Sequence, residues 1–333
     1  MKSSLVKRLI ATGIILSIIL VVTLLIGITS GSSQFGFKEV WQLIGNQTSE
    51  TSVIGTIIWQ IRLPRALMAA LVGGTLSLGG LIFQALLRNP LAEPYILGIS
   101  GGAAIGAIVG ILIGLARFPG VTLTAFVGSM ATLAVILFMS SGRAVLKKDA
   151  LLLSGVMVNA FCSAVIMFLV SITQDARLHN IIFWLMGDLG QLGFKQVLIL
   201  TLTLSPFFII VFAMAHQMNL LLMGKDIART MGVNVEKVSL LLLIIASFIV
   251  STTVSYCGLI GFVGLVMPHL LRLLLGPDHR ILIPACLLGG GAYLVTCDIL
   301  ARVLPQQGEM PAGVITALIG APLFILLLRR ANR

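Results

Sequence analysis

Apolar residues fall into ten runs along this chain, at 7–29, 64–87, 95–116, 120–141, 150–172, 196–216, 238–257, 259–275, 281–303 and 311–328, separated by short polar breaks. Each is near the ~20 residues that carry a helix across ~30 Å of hydrocarbon. The run at 259–275 is the shortest. Strands of a membrane barrel would instead alternate apolar and polar positions over about ten residues, so these continuous runs exclude one. The pattern predicts an all-α integral membrane protein of about ten transmembrane helices in a single domain spanning 1–333.

The break that stands out is the loop at 217–237. Its part from Met223 to Lys237 carries charge between two long apolar runs, so it lies at one membrane face. Gly224 and Gly232 bracket a helical piece on which Ile227 and Met231, four apart, form a small apolar face, while Lys225, Asp226 and Arg229 stay in water. A surface that docks a partner has this pattern. So has a solvated loop with one helical turn.

Other breaks carry their own signals. Arg62-Leu-Pro-Arg65 opens the second span, and two guanidiniums at a helix N-terminus gain nothing from its macrodipole. They are either snorkelling lipid anchors or ligands for carboxylates brought from outside. Asn89-Pro-Leu-Ala-Glu-Pro94 cannot continue a helix and predicts a compact, stiff turn at the end of that span. Gly98, Gly102, Gly106, Gly110 and Gly114 form a bare stripe against which a neighbouring helix can pack closely. Arg143, Lys147, Lys148 and Asp149 mark a turn on the same side as Arg88. The fifth span has a mildly polar face with Ser154, Asn159 and Ser163, suited to lining a cavity or to ordinary interhelical hydrogen bonds. Residues 30–62 contain a small amphipathic piece around 37–44 with Trp41 as an interfacial anchor, and Trp184–Asp188 suggests a short helix re-entering the outer leaflet. His269 has no second His or carboxylate at helical spacing. Asp298 and Arg302, four apart, can satisfy each other on one helix face.

Composition agrees with this reading. Hydrophobic residues make up 58% and charged residues only 10%, against roughly 25% charged in soluble domains. Assigning alternate breaks to opposite faces places fifteen of the 22 Lys and Arg residues with the N-terminus and seven opposite. By the positive-inside rule both termini are cytoplasmic, and the net charge of +11 needs anionic lipid but no nucleic acid to explain it. The first apolar run exceeds the length of a signal-peptide core and no Ala-x-Ala site follows, so it reads as an uncleaved span. Cys162, Cys257, Cys286 and Cys297 are dispersed within spans and read as small apolar fillers, not as a disulfide framework or metal ligands.

No Gly-x-x-x-x-Gly-Lys-Ser/Thr phosphate loop occurs, so the chain does not hydrolyse nucleotide by that route. Asp298 is the only acid clearly within a span, which argues against a proton- or sodium-driven carrier. An intramembrane enzyme would need a catalytic pair, and His216, His269 and His279 have no evident one. Energy for pumping must come from a partner.

At this point Arg62-Leu-Pro-Arg65, Gly79 through Gln84 to Arg88-Asn-Pro-Leu-Ala-Glu-Pro94 and Gly98, Gly261-Phe-Val-Gly-Leu-Val-Met-Pro-His269 with Arg272 and Asp278-His-Arg280, and Glu309-Met-Pro-Ala-Gly313 with Thr316-Ala-Leu-Ile-Gly-Ala-Pro322 become informative together. In this order they resemble the FecCD family of ABC importer permeases, over nearly the whole chain. The resemblance implies a type II importer permease in a bacterial or archaeal cytoplasmic membrane, working as a homodimer or close heterodimer with cytoplasmic ATPase subunits and an external substrate-binding protein. ATP and magnesium would sit on the ATPase and no cofactor on this chain. It assigns Gly224, Lys225, Asp226, Ala228, Arg229 and Gly232 to ATPase coupling, with Lys225 or Asp226 standing where the family carries Glu. Arg62, Arg65 and Arg302 would dock the binding protein, Asn89, Pro90, Leu91, Lys148 and Asp149 would close the cytoplasmic gate, and the fifth and tenth spans, with Asn159 and Ser163, would line the path. Iron chelates, haem and vitamin B12 are the family's cargoes, ferric siderophore the expected one here.

Overall fold

The computed structural model describes residues 2–30, 53–139, 148–190, 192–305 and 308–331. The amphipathic piece expected at 37–44, Lys38, Trp41, Arg143 and Lys147 lie outside them, as do the side chains of Lys148 and Asp149. The helices are α1 (Lys2–Thr29), α2 (Leu63–Leu87, entered through a π-helical turn at Ile57–Arg62), α3 (Ile99–Leu112), α4 (Thr122–Met139), α5 (Lys148–Ser171), α6 (Asp175–Leu185), α7 (Phe194–Ala213), α8 (Ala215–Met223), α9 (Lys225–Thr230), α10 (Val235–Cys257), α11 (Val263–Leu275), α12 (His279–Val303) and α13 (Ala312–Ala331). Among the described residues there is no strand. Among the described residues seven helices are long and apolar enough to cross a membrane, and the shorter apolar helices α3, α11 and α13 bring the number to the ten that the sequence predicts.

The centre of the bundle is α2, packed against α1, α10, α11 and α12. Small residues make that possible, because each glycine without a Cβ lets another backbone approach. An added methyl on Gly80 would run into the Gly264 carbonyl of α11, and one on Gly73 into the Gly290 carbonyl of α12. The predicted stripe on α3 behaves likewise: Gly102, Gly106 and Gly110 lie against α4 at Gly128, Thr132 and Thr124, and against Val121 just before it. Gly98 and Gly114 instead take positive φ at the ends of the helix. We expect Gly80→Ala to cost about 3 kcal/mol or more, because the obstructing atom is backbone and cannot rotate away. Thermal melting in detergent checks this against Gly13→Ala, where nothing among the described residues lies within 4 Å of the added carbon.

Two spans are shorter than predicted, for one shared reason. The chain leaves α2 through Arg88, which is left-handed (φ 45°), and does not resume an α-helix until Ile99. Between these points Asn89 Oδ1 accepts the Leu91 amide at 3.0 Å, and Pro94–Leu97 form a 3-10 turn. Pro94 nevertheless packs beside Gly79, eight residues before the end of α2 and so about 12 Å into the bundle. A second irregular segment, 258–262, precedes α11 and ends in Phe262 with φ 68°. The two segments satisfy one another: Glu93 accepts the Phe262 amide at 3.1 Å, while the Tyr95 hydroxyl donates to the Ile260 carbonyl at 2.9 Å and accepts the Ile260 amide at 3.2 Å. Non-helical backbone at membrane depth persists only with such internal partners. In the outer region the short helix is Asp175–Leu185, and Trp184–Asp188 forms its end and the following turn, not the re-entrant helix expected there.

Contacts separate two ends. The Arg8 guanidinium donates to the Leu275 carbonyl, and Arg280 lies near His216, on the end that also carries α8 and α9. Arg62, Arg65, Arg117 and Arg302 gather at the other. We call these the inner and outer ends, following the charge alternation read from sequence. α1 starts and α13 finishes at the inner one.

Candidate functional site

At the outer end, α2 and α12 bring together Arg65, Asp298 and Arg302. Asp298 Oδ1 lies 2.9 Å from Arg65 Nε and its Oδ2 lies 3.0 Å from Arg302 Nε, realising the pair expected on α12 and adding a second cation. Arg65 also binds Glu309 from the loop before α13. The remaining donors turn to α1, whose last carbonyls have no intrahelical partner. Arg302 donates to Gly27 and Ser30 at 3.0 and 2.8 Å, and Arg62 to Ile28 and Thr29 at 3.3 and 3.2 Å. A guanidinium does gain from a macrodipole here, but from the C-terminus of α1, which sequence spacing alone does not reveal.

Arg62, Arg65 and Arg302 are 5%, 5% and 4% exposed, and Asp298 is fully buried. Neither sequence reading, lipid anchor or free ligand for an incoming carboxylate, describes guanidiniums held this way by groups of the chain itself. Beside them is a cavity of about 520 Å³ lined by Arg65, Arg117, Arg177, Trp184, Asp188 and Glu309, among others. Asp188 fixes one wall: it pairs with Arg117 at 2.6 Å and accepts the Gly190 amide at 2.7 Å. Sequence reasoning did not pair Asp188 with Arg117 or Glu309 with Arg65, because 71 and 244 residues separate them.

At the inner end, α9 is bracketed as expected by Gly224 (φ 132°) and Gly232 (φ 83°), conformations that favour glycine. Ala228 is buried beneath it, and Ile227 and Met231 are 47% and 65% exposed, so the small apolar face points outward. Arg229 pairs with Glu236 across the turn into α10, and the hydrogen bond to that carboxylate raises the Arg229 pKa above its ordinary value. Asn234 caps α10 by accepting the Lys237 amide at 3.0 Å. Lys225 borders a small cavity with Arg88 and Leu151. Pro90 and Leu91 are exposed at this end and Asn89 is half-buried.

On α5 the predicted polar face divides. Ser154 is buried, as is the apolar filler Cys162 against Gly101, while Asn159 and Ser163 are exposed. Gly155 packs on the Ile96 carbonyl and Gly320 of α13 on Phe262, so the joint between the two irregular segments lies between α5 and α13. His269 is buried, its ring nitrogens have no hydrogen-bond partner among the described residues, and its ring lies 6.1 Å from that of Phe324.

Residues 19–330 match the FecCD transport family. The chain belongs to this family. Among FecCD relatives, the uncharacterized ABC transporter permease protein YvrB of Bacillus subtilis (strain 168) is 38% identical over 94% of this chain and 92% of its own length. The hemin transport system permease protein HmuU of Yersinia pestis is 39% identical over 95% and 94%. The vitamin B12 import system permease protein BtuC of Klebsiella pneumoniae is also 39% identical, over 95% and 93%. In structure, a metal-chelate type ABC transporter in an inward-facing conformation superposes with a TM-score of 0.84 at 30% identity, covering 96% of this chain and 98% of that one. The FecCD chain described here is therefore an all-helical, multi-pass membrane protein of the ABC permease type.

Proposed function

We propose that this chain is the permease subunit of an ATP-driven importer that moves a metal chelate across the cytoplasmic membrane, a ferric siderophore in the first instance. In this reading two copies enclose the path, cytoplasmic ATPase subunits hydrolyse ATP with magnesium, and an external binding protein delivers the cargo. The observation that carries the reading is α9, a short helix held between two positive-φ glycines with its apolar residues facing out, in a chain with no phosphate loop of its own. Such a helix on short connections passes on a push that a slack loop would absorb. Gly224, Lys225, Asp226, Ala228, Arg229 and Gly232 make up this contact, Asn89, Pro90, Leu91, Lys148 and Asp149 close the inner end, and Asn159 and Ser163 face the path. Haem and vitamin B12 form the second reading, favoured by the names of the two relatives at 39% identity.

Docking at the outer end is assigned to the surface above the ion cluster, where Arg62, Arg65 and Arg302 set the shape from within. Among the described residues, Arg177 and Lys195 are the exposed cations on that side. Arg177→Glu with Lys195→Glu should weaken capture of the binding protein by up to about tenfold, since each exposed pair contributes ~0–1 kcal/mol, and the difference should shrink as salt rises. Equal capture by both proteins at low salt would remove those residues from the interface.

The function is tested by reconstituting the chain with its ATPase and binding protein and offering ferric siderophore, hemin and cobalamin. ATP-dependent accumulation of one of them is expected. Uptake that needs no ATPase and follows an ion gradient would make this a secondary carrier instead.

A further inference from the structure

We propose that Asn219 is a positioning residue that carries a displacement of α9 into α12. This rests on the reading of α9 as the surface that the ATPase engages. α9 has two mechanical outlets, forward into α10 and back through Gly224 into α8. The forward tie is the Arg229–Glu236 pair, whose side chains are 54% and 60% exposed, a kind of contact that solvent and salt weaken.

The backward tie is built differently. α8 packs against α12 and α2, and Asn219 on its inward side meets the first residues of α12. Asn219 Oδ1 accepts the His279 backbone amide at 2.9 Å and lies 2.8 Å from His279 Nδ1, which therefore carries the proton. Its Nδ2 donates to Asp278 Oδ1 at 2.8 Å, and that same oxygen caps α12 by accepting the Arg280 amide at 3.0 Å. One turn earlier on α8, His216 Nδ1 lies 3.4 Å from an Arg280 guanidinium nitrogen. His279 is fully buried. A single amide thus has every polar atom committed to the capping residue and first residue of another helix, one bond being to a carboxylate and so of the stronger kind.

The helix reached in this way runs from His279 to Val303, and its far end carries Asp298 and Arg302 of the outer cluster. Along its middle, Gly290 and Gly291 lie directly against the α2 backbone, which leaves little slack for bending. Motion entering at Asn219 therefore arrives at the ion cluster beneath the outer surface. The polar joint of α8 and α12 gives the two ends of the bundle a direct connection that bypasses α7, which ends at Ala213 and is parted from α8 by Met214.

The test uses the complete transporter in vesicles and reads cargo moved per ATP hydrolysed, with ferric siderophore, hemin and cobalamin each offered as probe. Asn219→Leu should insert, assemble and hydrolyse ATP, yet move about tenfold less cargo per ATP, within the usual size of coupling effects. Exchanging the pair, Asn219→Asp with Asp278→Asn, keeps an acceptor for His279 and an amide donor across the joint, and should restore the ratio. If Asn219→Leu does not insert, Asn219→Asp alone takes its place: two carboxylates would then face each other, and the same fall is expected. An unchanged ratio in the inserted variant overturns the proposal, and so does a parallel loss of hydrolysis and uptake, which marks a merely structural role. Wild-type vesicles in which hydrolysis drives no uptake would overturn the permease reading itself, and this inference with it.

Discussion

Asp298→Ala is expected to destabilise the protein by about 3–5 kcal/mol, because it removes the one buried anion between two buried guanidiniums. In the intact protein Arg65 and Arg302 approach opposite oxygens of that carboxylate at 2.9 and 3.0 Å. Without it they face each other with only Glu309, whose side chain is 47% exposed, left as counter-charge. Arg302→Leu should cost less, about 1–3 kcal/mol, since Asp298 keeps Arg65 while the Gly27 and Ser30 carbonyls lose their donors. Melting in detergent gives the order: Asp298→Ala lowest, Arg302→Leu between, wild type highest. If Asp298→Ala melts with the wild type, the cluster contributes nothing to stability and the guanidiniums are solvated after all.

A second large effect is expected at the inner end, on transport and not on folding. Gly232 has φ 83°, a value closed to proline, and its amide donates to the Arg229 carbonyl at 3.0 Å. Gly232→Pro therefore loses both the turn and the bond that end α9. Reversing Asp226 and Arg229 together keeps the backbone but sets a carboxylate against Glu236 in place of the present ion pair. Either change should leave insertion intact, since among the described residues nothing lies within 4 Å of a Cβ added at Gly232, and should lower ATP-driven uptake by tenfold or more, about 1.4 kcal/mol of coupling. Uptake equal to wild type in both would remove α9 from the contact with the ATPase.

Much of the architecture was legible because a membrane imposes a simple rule: runs of about twenty apolar residues become helices. Hence α1, α2, α4, α5, α7, α10 and α12 lie close to the predicted runs. The α3 stripe was legible too, because a four-residue glycine period on a helix has few uses besides close packing. The late starts of α3 and α11 were not. Tyr95 and Ile96, like Leu259 and Ile260, are apolar enough to extend a run, and hydropathy carries no record that the backbone there bonds to another segment 165 residues away. The outer arginines show the same limit. Spacing placed them at the start of α2 and the end of α12, but Arg65 reaches carboxylates of α12 and of the loop before α13 while Arg62 and Arg302 reach carbonyls at the end of α1, and helix packing alone decides that.

Glu93 and Tyr95 on one side and Ile260 and Phe262 on the other also set an order on biogenesis. While the ribosome has released only the first hundred or so residues, the ascending piece after α2 has no mate for its carboxylate and phenol, and lipid offers none. A nascent chain halted before residue 258 should thus keep that piece near the aqueous side, open to labelling reagents, until α10 and α11 emerge and draw it to its final depth.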